Sequence, residues 1–423
     1  MSHRLVACDH CDYLHTEEEI PPGHVARCVR CGSPLYQNQN NSIERSLAFA
    51  FTALVLFILA NSFPILQFSM EGRSESNTLI SGVLTFWNEG FWFLAFMVGL
   101  TSIVAPLLLI SAYIYVLLPL RFGMGFPAIR KVWRVLAIAR PWSMLDVFLI
   151  GLLVALTKLN DFADVIAGPA FYAVCILIPM SLLMSAQLDP REVWHRLAPK
   201  GLKYPTTDDI AVPEPGSDRW VTCEVCAFVL TGEAAQNDHA VCPCCGAVVH
   251  HRKPASLSRA WALLISAAIF YIPANVFPIM SVTMLGNTEA DTILSGVGAL
   301  IDAGEWPIAM VVFCASIVVP IFKLVVLSWV YMAAGLGMAG PLRQRTRIYR
   351  ITELIGRWSM IDVFMVSILA ALVKLGNIAT VVPGFGAVAF CAVVILTMLS
   401  AMAFDPRLIW DRATLKMKQG TLS

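Results

Sequence analysis

Eight apolar segments, each close to the length that a helix needs to cross a bilayer, constrain the fold of this chain most. A helix rises about 1.5 Å per residue, so roughly 20 residues cross a hydrocarbon core of about 30 Å. Hydrophobic residues make up 57% of the 423 residues and charged residues 14%, against about 45–50% and about 25% in soluble domains. The sequence therefore predicts an all-α polytopic membrane protein with spans near residues 46–66, 91–118, 143–159, 165–187, 259–281, 306–334, 358–375 and 379–402.

The last four segments repeat the first four. Asn61-Ser-Phe-Pro recurs as Asn275-Val-Phe-Pro, and RPWSMLDVF, which begins at Arg140, recurs as GRWSMIDVF, which begins at Gly356. Because each repeat has an even number of spans, both repeats are predicted to cross the membrane in the same orientation. The predicted fold is therefore two parallel repeats of four transmembrane helices.

Eight of the twelve cysteines form two sets of paired Cys-x-x-Cys motifs, one ahead of each repeat. Two such motifs place four thiolates around one metal ion, as in a zinc ribbon. Four thiolates leave no coordination position for water or substrate, so two structural zinc ions are expected. Iron in rubredoxin-like sites is the alternative, because tetrahedral sulfur ligands suit both metals. The predicted ligands are Cys8, Cys11, Cys28 and Cys31 in one set, and Cys223, Cys226, Cys242 and Cys245 in the other.

The repeats and the cysteine motifs divide the chain into five predicted domains. Each ribbon is too small to bury a core of its own, so its metal ion would supply the folding energy. The predicted domains are an N-terminal ribbon (1–45), a first four-helix module (46–187), a linker with the second ribbon (188–258), a second four-helix module (259–402) and a tail (403–423).

The basic loops orient the predicted bundle, because Lys and Arg accumulate on the cytoplasmic side of a membrane. The loops after spans two and six are strongly basic, whereas segments 67–90 and 282–305 are mainly acidic. Both ribbons and both termini are therefore expected in the cytoplasm. That compartment is reducing, so disulfides between the ribbon cysteines are not expected.

Polar residues within the apolar segments form a candidate transport site. Lys323 lies about 11 residues, or ~16 Å, from the cytoplasmic end of span six, and a base at that depth costs at least ~2.5 kcal/mol. Asp362, at the start of span seven, is its predicted partner, with Ser359 one turn earlier. Leu109 occupies the corresponding position of the first repeat, so the second repeat is expected to carry the activity.

The other polar residues in the spans also have structural explanations. An aspartate near the start of a helix can satisfy backbone donors and the helix dipole, which is the alternative for Asp362. Lys374 lies near the far interface, where its amine can reach water. The corresponding residues of the first repeat are Ser143, Asp146 and Lys158.

The sequence argues against several classes of function. All eight histidines lie outside the apolar segments, so a carrier with haem bound within the membrane is disfavoured. There is no GxxxxGK phosphate loop, so ATP would have to be used by another subunit. We therefore expect neither an enzyme nor a nucleic-acid-binding protein.

The motifs GRWSMIDVF, IPANVFPIM, DTILSGV and FDPRLIWDR, the paired cysteines and the duplication resemble the paraquat-inducible protein A family of bacterial inner membranes, over essentially the whole chain. The resemblance implies an inner-membrane component of intermembrane phospholipid transport. It also implies a partner with mammalian-cell-entry (MCE) domains, which forms a periplasmic tunnel. Lys323, Ser359, Asp362 and Lys374 match polar positions that the resemblance connects with lipid handling.

Two other functions fit the same sequence. In the first, the spans only anchor and orient the MCE partner, and the chain is a scaffold that transports nothing. In the second, the cysteine sites make the chain a redox-responsive or stress-responsive membrane regulator. The scaffold hypothesis predicts that Lys323 and Asp362 can be neutralised without effect, and the regulator hypothesis predicts iron or reversible thiol oxidation.

Overall fold

The computed structural model is mostly helical, and its helices follow the two repeats. This agrees with the predicted fold class of a helical membrane protein built from two repeats. The structure describes residues 4–70, 73–123, 126, 128–160, 164–206, 220–231, 240–284, 287–302, 304–338, 340–356, 360–372 and 379–411.

The helices of the first repeat are α1 (Ser42–Ser62), α2 (Leu79–Asn88), α3 (Trp92–Gly99), α4 (Ala105–Phe122), α5 (Ile129–Ala139), α6 (Leu145–Asn160), α7 (Pro169–Ala186) and α8 (Pro190–Leu197). Those of the second repeat are α9 (Ser256–Val276), α10 (Ile293–Asp302), α11 (Trp306–Phe313), α12 (Val319–Leu336), α13 (Leu342–Ile355), α14 (Ile361–Leu372) and α15 (Phe385–Ala403). Helices α1 to α7 correspond in order to α9 to α15.

Six helices in the described residues are long and apolar enough to cross a bilayer, at predicted spans one, two, four, five, six and eight. The helices at spans three and seven are shorter: α6 has 16 residues and α14 has 12. At 1.5 Å per residue, α6 covers about 24 Å of a core of about 30 Å. A bend of 47° precedes it, between residues 129–137 and 140–156. Pro141 lies at this bend, in a short 3₁₀ turn, and proline cannot continue the hydrogen-bond pattern of a helix.

A single π-helical turn interrupts the second span of each repeat, at Leu100–Val104 and at Cys314–Val318. In both repeats the second residue of the following helix is a proline, which has no N–H to donate to the turn before it. Ser102 and Ser316 donate their hydroxyls to carbonyls four residues earlier, at 2.7 and 2.6 Å. The broken helix therefore keeps polar backbone groups satisfied within the membrane.

The two repeats meet where α6 packs against α14. Phe148 and Phe364, which occupy corresponding positions of the two repeats, make an edge-to-face contact with ring centroids 5.5 Å apart. Gly151 permits this approach, because a Cβ there would lie 3.1 Å from both the carbonyl oxygen of Ile361 and the Cβ of Phe364. The described side chains of α14 are nearly all buried, so the two short helices lie at the centre of the molecule.

Short strands add small sheets that the sequence did not predict. In each repeat, a hairpin after the first span pairs with a strand before the last span. Strand Leu66–Met70 lies between Arg73–Asn77 and Asp164–Ala167, and strand Met280–Met284 lies between Asn287–Asp291 and Ala379–Pro383. The other strands form two hairpins in each ribbon. The strands are β1 (Leu5–Ala7), β2 (Leu14–Thr16), β3 (Val25–Arg27), β4 (Pro34–Gln37), β5 (Leu66–Met70), β6 (Arg73–Asn77), β7 (Asp164–Ala167), β8 (Trp220–Thr222), β9 (Val229–Thr231), β10 (Ala240–Val241), β11 (Val248–Val249), β12 (Met280–Met284), β13 (Asn287–Asp291) and β14 (Ala379–Pro383).

The repeats are not packed symmetrically around α2 and its counterpart α10. Helix α2 packs against α14, and a Cβ at Gly82 would lie 2.5 Å from Oγ of Ser367 and 3.3 Å from its carbonyl oxygen. Gly296 occupies the corresponding position in α10, and no atom of the described residues lies within 4 Å of the place its Cβ would take. The same glycine is therefore required for packing in one repeat and not in the other.

This difference predicts opposite effects of the same substitution. Gly82→Ala forces atoms into a filled contact and should lower the free energy of unfolding by ~1–3 kcal/mol. Gly296→Ala adds a methyl group in open space and should leave stability unchanged or raise it by up to ~1 kcal/mol, because alanine favours a helix over glycine. Thermal unfolding of the two purified variants in detergent checks this, and equal midpoints would contradict it.

Candidate functional site

The structure brings the eight predicted metal ligands together in two quartets, in which all sulfur atoms lie within 4.8 Å of one another. The Sγ atoms of Cys8 and Cys31 are 3.5 Å apart, as are those of Cys223 and Cys245. Tetrahedral zinc with Zn–S bonds of about 2.3 Å separates its sulfur ligands by ~3.8 Å. All eight cysteines are buried. Each quartet therefore fits one tetrahedral metal ion.

The backbone of each Cys-x-x-Cys motif is shaped for this convergence. The residue after the second cysteine has a left-handed conformation in all four motifs, and its N–H donates to the carbonyl of the first cysteine at 2.8 Å. These residues are Asp12, Gly32, Ala227 and Gly246. The tight turn directs both thiols of the motif to the same side, where they meet the thiols of the other motif.

Hydrogen bonds between the thiols affect the pKa values of the cysteines in each quartet in different directions. Bonds with Cys11 and then Cys31 lower the pKa of Cys28, and bonds with Cys223 and then Cys226 lower the pKa of Cys245. Metal ligation requires the thiolate form. Bonds with the other thiols raise the pKa of Cys11 and of Cys226, so the thiols of each quartet do not ionise equally.

The cysteine core of the first ribbon packs against the second repeat, while Gln37 at the ribbon's last strand donates to Asp189 and to the carbonyl of Ala186 in the first repeat. The four ligand cysteines of this ribbon share a buried core with Tyr331 and Phe404. The guanidinium of Arg30 lies over the ring of Trp410, 4.4 Å from its centroid. Arg350, in α13, donates to Oγ of Ser33 at 3.3 Å.

The second ribbon packs against the first repeat. Its ligand cysteines share a core with Trp133 and Trp194. Arg134, in α5, donates to the carbonyl of Cys245, and the thiol of Cys244 lies 4.0 Å from the carbonyl of Trp194. Arg134 and Trp194 of the first repeat correspond to Arg350 and Trp410 of the second repeat, which contact the first ribbon. Corresponding residues of the two repeats thus contact the two ribbons, and the cysteine core of each ribbon lies on the repeat that the ribbon does not precede.

Ion pairs connect both ribbons to the end of the chain. Arg252 lies 3.0 Å from Asp12 of the first ribbon and 2.7 Å from Asp411. Arg407 lies 2.9 Å from both Glu224 of the second ribbon and Asp405. Burial opposes ionisation of Asp405, but the hydrogen bonds and charge of Arg407 outweigh it and lower the pKa of that carboxyl. These charges are paired and stabilise the ribbons against the second repeat.

Lys323 is buried in α12, with 2% of its surface exposed. Its Nζ donates to Oγ1 of Thr397 at 2.7 Å and to the carbonyl of Gly356 at 3.2 Å. The hydroxyl of Thr397 donates in turn to the carbonyl of Val394, so its oxygen acts as the acceptor for Lys323. A Cβ at Gly356 would make an ordinary van der Waals contact with Nζ, at 3.4 Å.

The predicted partner of Lys323 is only partly described. Asp362 lies in the first turn of α14, but its side chain is outside the described residues, as are Ser359 and Lys374 entirely. The pairing of Lys323 with Asp362 therefore stays a prediction. Thr397 and Gly356 are partners that the sequence did not reveal, because a hydroxyl and a backbone carbonyl in an apolar context carry no charge signal.

The corresponding positions of the first repeat have a different arrangement. Leu109 is buried where the second repeat has Lys323. Asp146 lies in the first turn of α6 and is partly exposed, Ser143 precedes the helix, and Lys158 lies in its last turn with a side chain outside the described residues. The amine of Lys323 therefore has no counterpart in the first repeat.

A cavity of about 320 Å³ extends from Lys323 to the first ribbon. Arg140 and Pro141 of the first repeat form one side, and Arg350 and Met398 of the second repeat form another. His10 of the first ribbon and Glu353 of α13 also contribute to the lining. The cavity thus lies between the two repeats, and a buried amine lies at its inner end.

Comparison with known proteins identifies the relatives of this chain. The family model described as "Paraquat-inducible protein A" matches twice, at residues 43–198 and 257–414. "Intermembrane transport protein PqiA" of Escherichia coli K12 is 35% identical over 96% of this chain and 95% of its own length. "Lipophilic envelope-spanning tunnel protein A" of the same strain is 31% identical over 96% of this chain and 90% of its own length.

A "Probable intermembrane transport protein" of Haemophilus influenzae is 26% identical over 96% of both chains. No solved structure matches the chain. The relatives carry the names of transport proteins and not of enzymes. The two family matches cover the two repeats found in the sequence, and the chain belongs to the paraquat-inducible protein A family.

Proposed function

We propose that this chain is an inner-membrane subunit of an intermembrane lipid transport system, which takes phospholipid from the bilayer and loads it into a periplasmic tunnel of MCE domains. The observation that carries the proposal is Lys323, an amine buried within a membrane span at the end of a cavity between the repeats. An ionisable group within a span marks a functional site by default. The names of the relatives supply the class of process, which is transport between membranes.

In this proposal the ribbons and both termini lie in the cytoplasm, as the basic loops require. The sheets β6-β5-β7 and β13-β12-β14 then lie in the periplasm, because each follows the far end of the first span of its repeat. The two sheets are the first part of the chain that a periplasmic partner would meet. The MCE tunnel would therefore receive lipid on that side of the membrane.

The geometry at Lys323 offers a way to bind and release a lipid headgroup. Both of its hydrogen-bond partners accept, so either protonation state of the amine can make both bonds. Besides the two N–H groups in these bonds, Nζ carries a third N–H when the amine is charged and a lone pair in its place when the amine is neutral. A phosphate group binds to the first form and not to the second. Protonation of one buried amine would therefore switch the affinity of the site for cargo.

The two alternative functions are less well supported. A scaffold that transports nothing would have no use for a buried amine, whose desolvation costs free energy. A redox-responsive regulator needs accessible thiols, but the eight cysteines of the quartets are buried. Lipid loading explains both the buried amine and the cavity beside it.

We propose zinc as the ion in both quartets and expect two zinc ions per purified chain. Cys28→Ser and its counterpart Cys242→Ser should each reduce the content to one, because three thiolates and a hydroxyl bind zinc more weakly than four thiolates. Cys244→Ala is the control and should keep two ions, because Cys244 is buried beside a quartet without belonging to it. Elemental analysis measures the content, and stoichiometric iron, or a folded chain without metal, would contradict the proposal.

Lys323→Met tests the transport function in cells that lack the wild-type chain. The variant keeps the side-chain volume but cannot make a charge-assisted hydrogen bond to cargo. Such a bond contributes ~1.5–3 kcal/mol of binding free energy, so we expect lipid delivery to fall by roughly 10- to 100-fold. It also leaves two acceptors without a donor, which costs ~1–3 kcal/mol of stability. The amount of folded protein in the membrane must therefore be measured beside resistance of the envelope to detergent.

Leu109→Met is the matched control at the corresponding position of the first repeat, and it should support normal envelope resistance. If Lys323→Met is folded, present at the wild-type level and equally protective, the amine has no part in transport. The scaffold function would then be the better explanation.

A further inference from the structure

The cavity beside Lys323 has two arginines at its outer part, one from each repeat. Arg140 precedes α6 of the first repeat, and Arg350 lies in α13 of the second. Both are at least partly exposed, whereas Lys323 at the inner end is buried. Among the described residues of the lining, Glu353 is the one carboxylate, and the lining also has three cationic side chains and His10. The lining therefore favours an anion.

Neutral partners hold the two guanidinium groups in place. Arg140 donates to Oη of Tyr113 at 2.5 Å, and Arg350 donates to Oγ of Ser33 at 3.3 Å. A guanidinium has five N–H donors, and within the described residues neither arginine forms an ion pair. Among the described residues each of the two guanidinium groups makes one hydrogen bond, which leaves other N–H donors for a ligand.

We infer that this cavity binds the phosphate of an anionic phospholipid headgroup, with Arg140 and Arg350 as its outer ligands and Lys323 at its inner end. Guanidinium groups pair with phosphate oxygens through two parallel hydrogen bonds, and two arginines from different repeats can approach a phosphate from two sides. The inference rests on the proposed function and names its substrate class and entry site.

The apolar part of the lining favours a lipid over free phosphate. A volume of about 320 Å³ is at the lower end of the range for small-molecule sites, roughly 300–1,000 Å³, which suits a headgroup and leaves the acyl chains outside. Leu354 lines the cavity with 59% of its surface exposed. Ile351, three residues earlier in α13, is 43% exposed. Acyl chains can continue from the headgroup along this surface.

Calorimetric titration of the purified full-length chain in a neutral detergent tests the site with three probes. Dioctanoyl phosphatidylglycerol has the phosphate and the acyl chains, dioctanoylglycerol lacks the phosphate, and inorganic phosphate lacks the chains. We expect the first probe to bind tightest. Arg140→Gln and Arg350→Gln should each weaken its binding about tenfold or more, because each removes charge-assisted hydrogen bonds.

Two control variants test whether a loss of binding comes from the cavity itself, and not from a change in net charge or from the loss of a contact with a ribbon. Arg347→Gln removes a charge from the exposed surface of the same helix, away from the cavity, and should change the affinity by less than about twofold. Arg134→Gln removes the corresponding ribbon contact of the first repeat and should likewise leave binding unchanged. Arg350→Lys keeps the charge and should recover part of the affinity. Thermal unfolding verifies that each variant is folded.

Wild-type affinity in both glutamine variants would overturn the inference, and so would equal binding of dioctanoylglycerol. Binding of inorganic phosphate as tight as that of the lipid would overturn the lipid assignment. The experiment needs no partner protein, so its failure is distinct from a failure of the proposed function. If the chain delivers lipid in cells but binds lipid equally well without these arginines, the proposed function stands and only this binding site is wrong.

Discussion

The contact between α6 and α14 determines the arrangement of the whole molecule. Phe148 and Phe364 meet edge to face at corresponding positions of the two repeats, and Gly151 lets the helices approach closely. Because equivalent residues meet, the repeats are related by an approximate two-fold rotation at this contact. The two short helices are withdrawn from lipid into the centre, and six other helices of the described residues are long and apolar enough to cross a bilayer.

The same rotation relates the packing of the two ribbons, but not that of α2 and α10. The cysteine core of each ribbon lies on the repeat that the ribbon does not precede. The corresponding arginines Arg134 and Arg350 contact the two ribbons through different acceptors, the carbonyl of Cys245 and the hydroxyl of Ser33. The duplicated positions near the cavity have nevertheless diverged. In the first repeat Tyr113 accepts a bond from Arg140, whereas in the second repeat Lys323 donates to the backbone of Gly356. The first repeat thus holds the guanidinium of Arg140 in place, and the second repeat has a buried amine at Lys323.

Much of this fold could be predicted from the sequence, because hydrophobic length, the internal repeat and the cysteine spacing are local signals. The packing of the ribbons could not, since it depends on Trp194 contacting Cys244, 50 residues later in the chain, and on Trp410 contacting Arg30 near its start. Thr397 was missed because a single hydroxyl in an apolar span usually bonds its own helix. The cavity depends on Arg140 and Lys323 from different repeats, which only the packing of α6 against α14 brings together.

Lipid transfer in a purified system tests the account most directly. Proteoliposomes that contain this chain and a fluorescent phosphatidylglycerol would be mixed with the purified periplasmic tunnel protein, and the rate at which labelled lipid appears in the tunnel would be measured. The account predicts that the wild-type chain accelerates this transfer and that Lys323→Met slows it about tenfold or more. A wild-type chain that fails to accelerate transfer, or a Lys323→Met variant as fast as wild type, would contradict it.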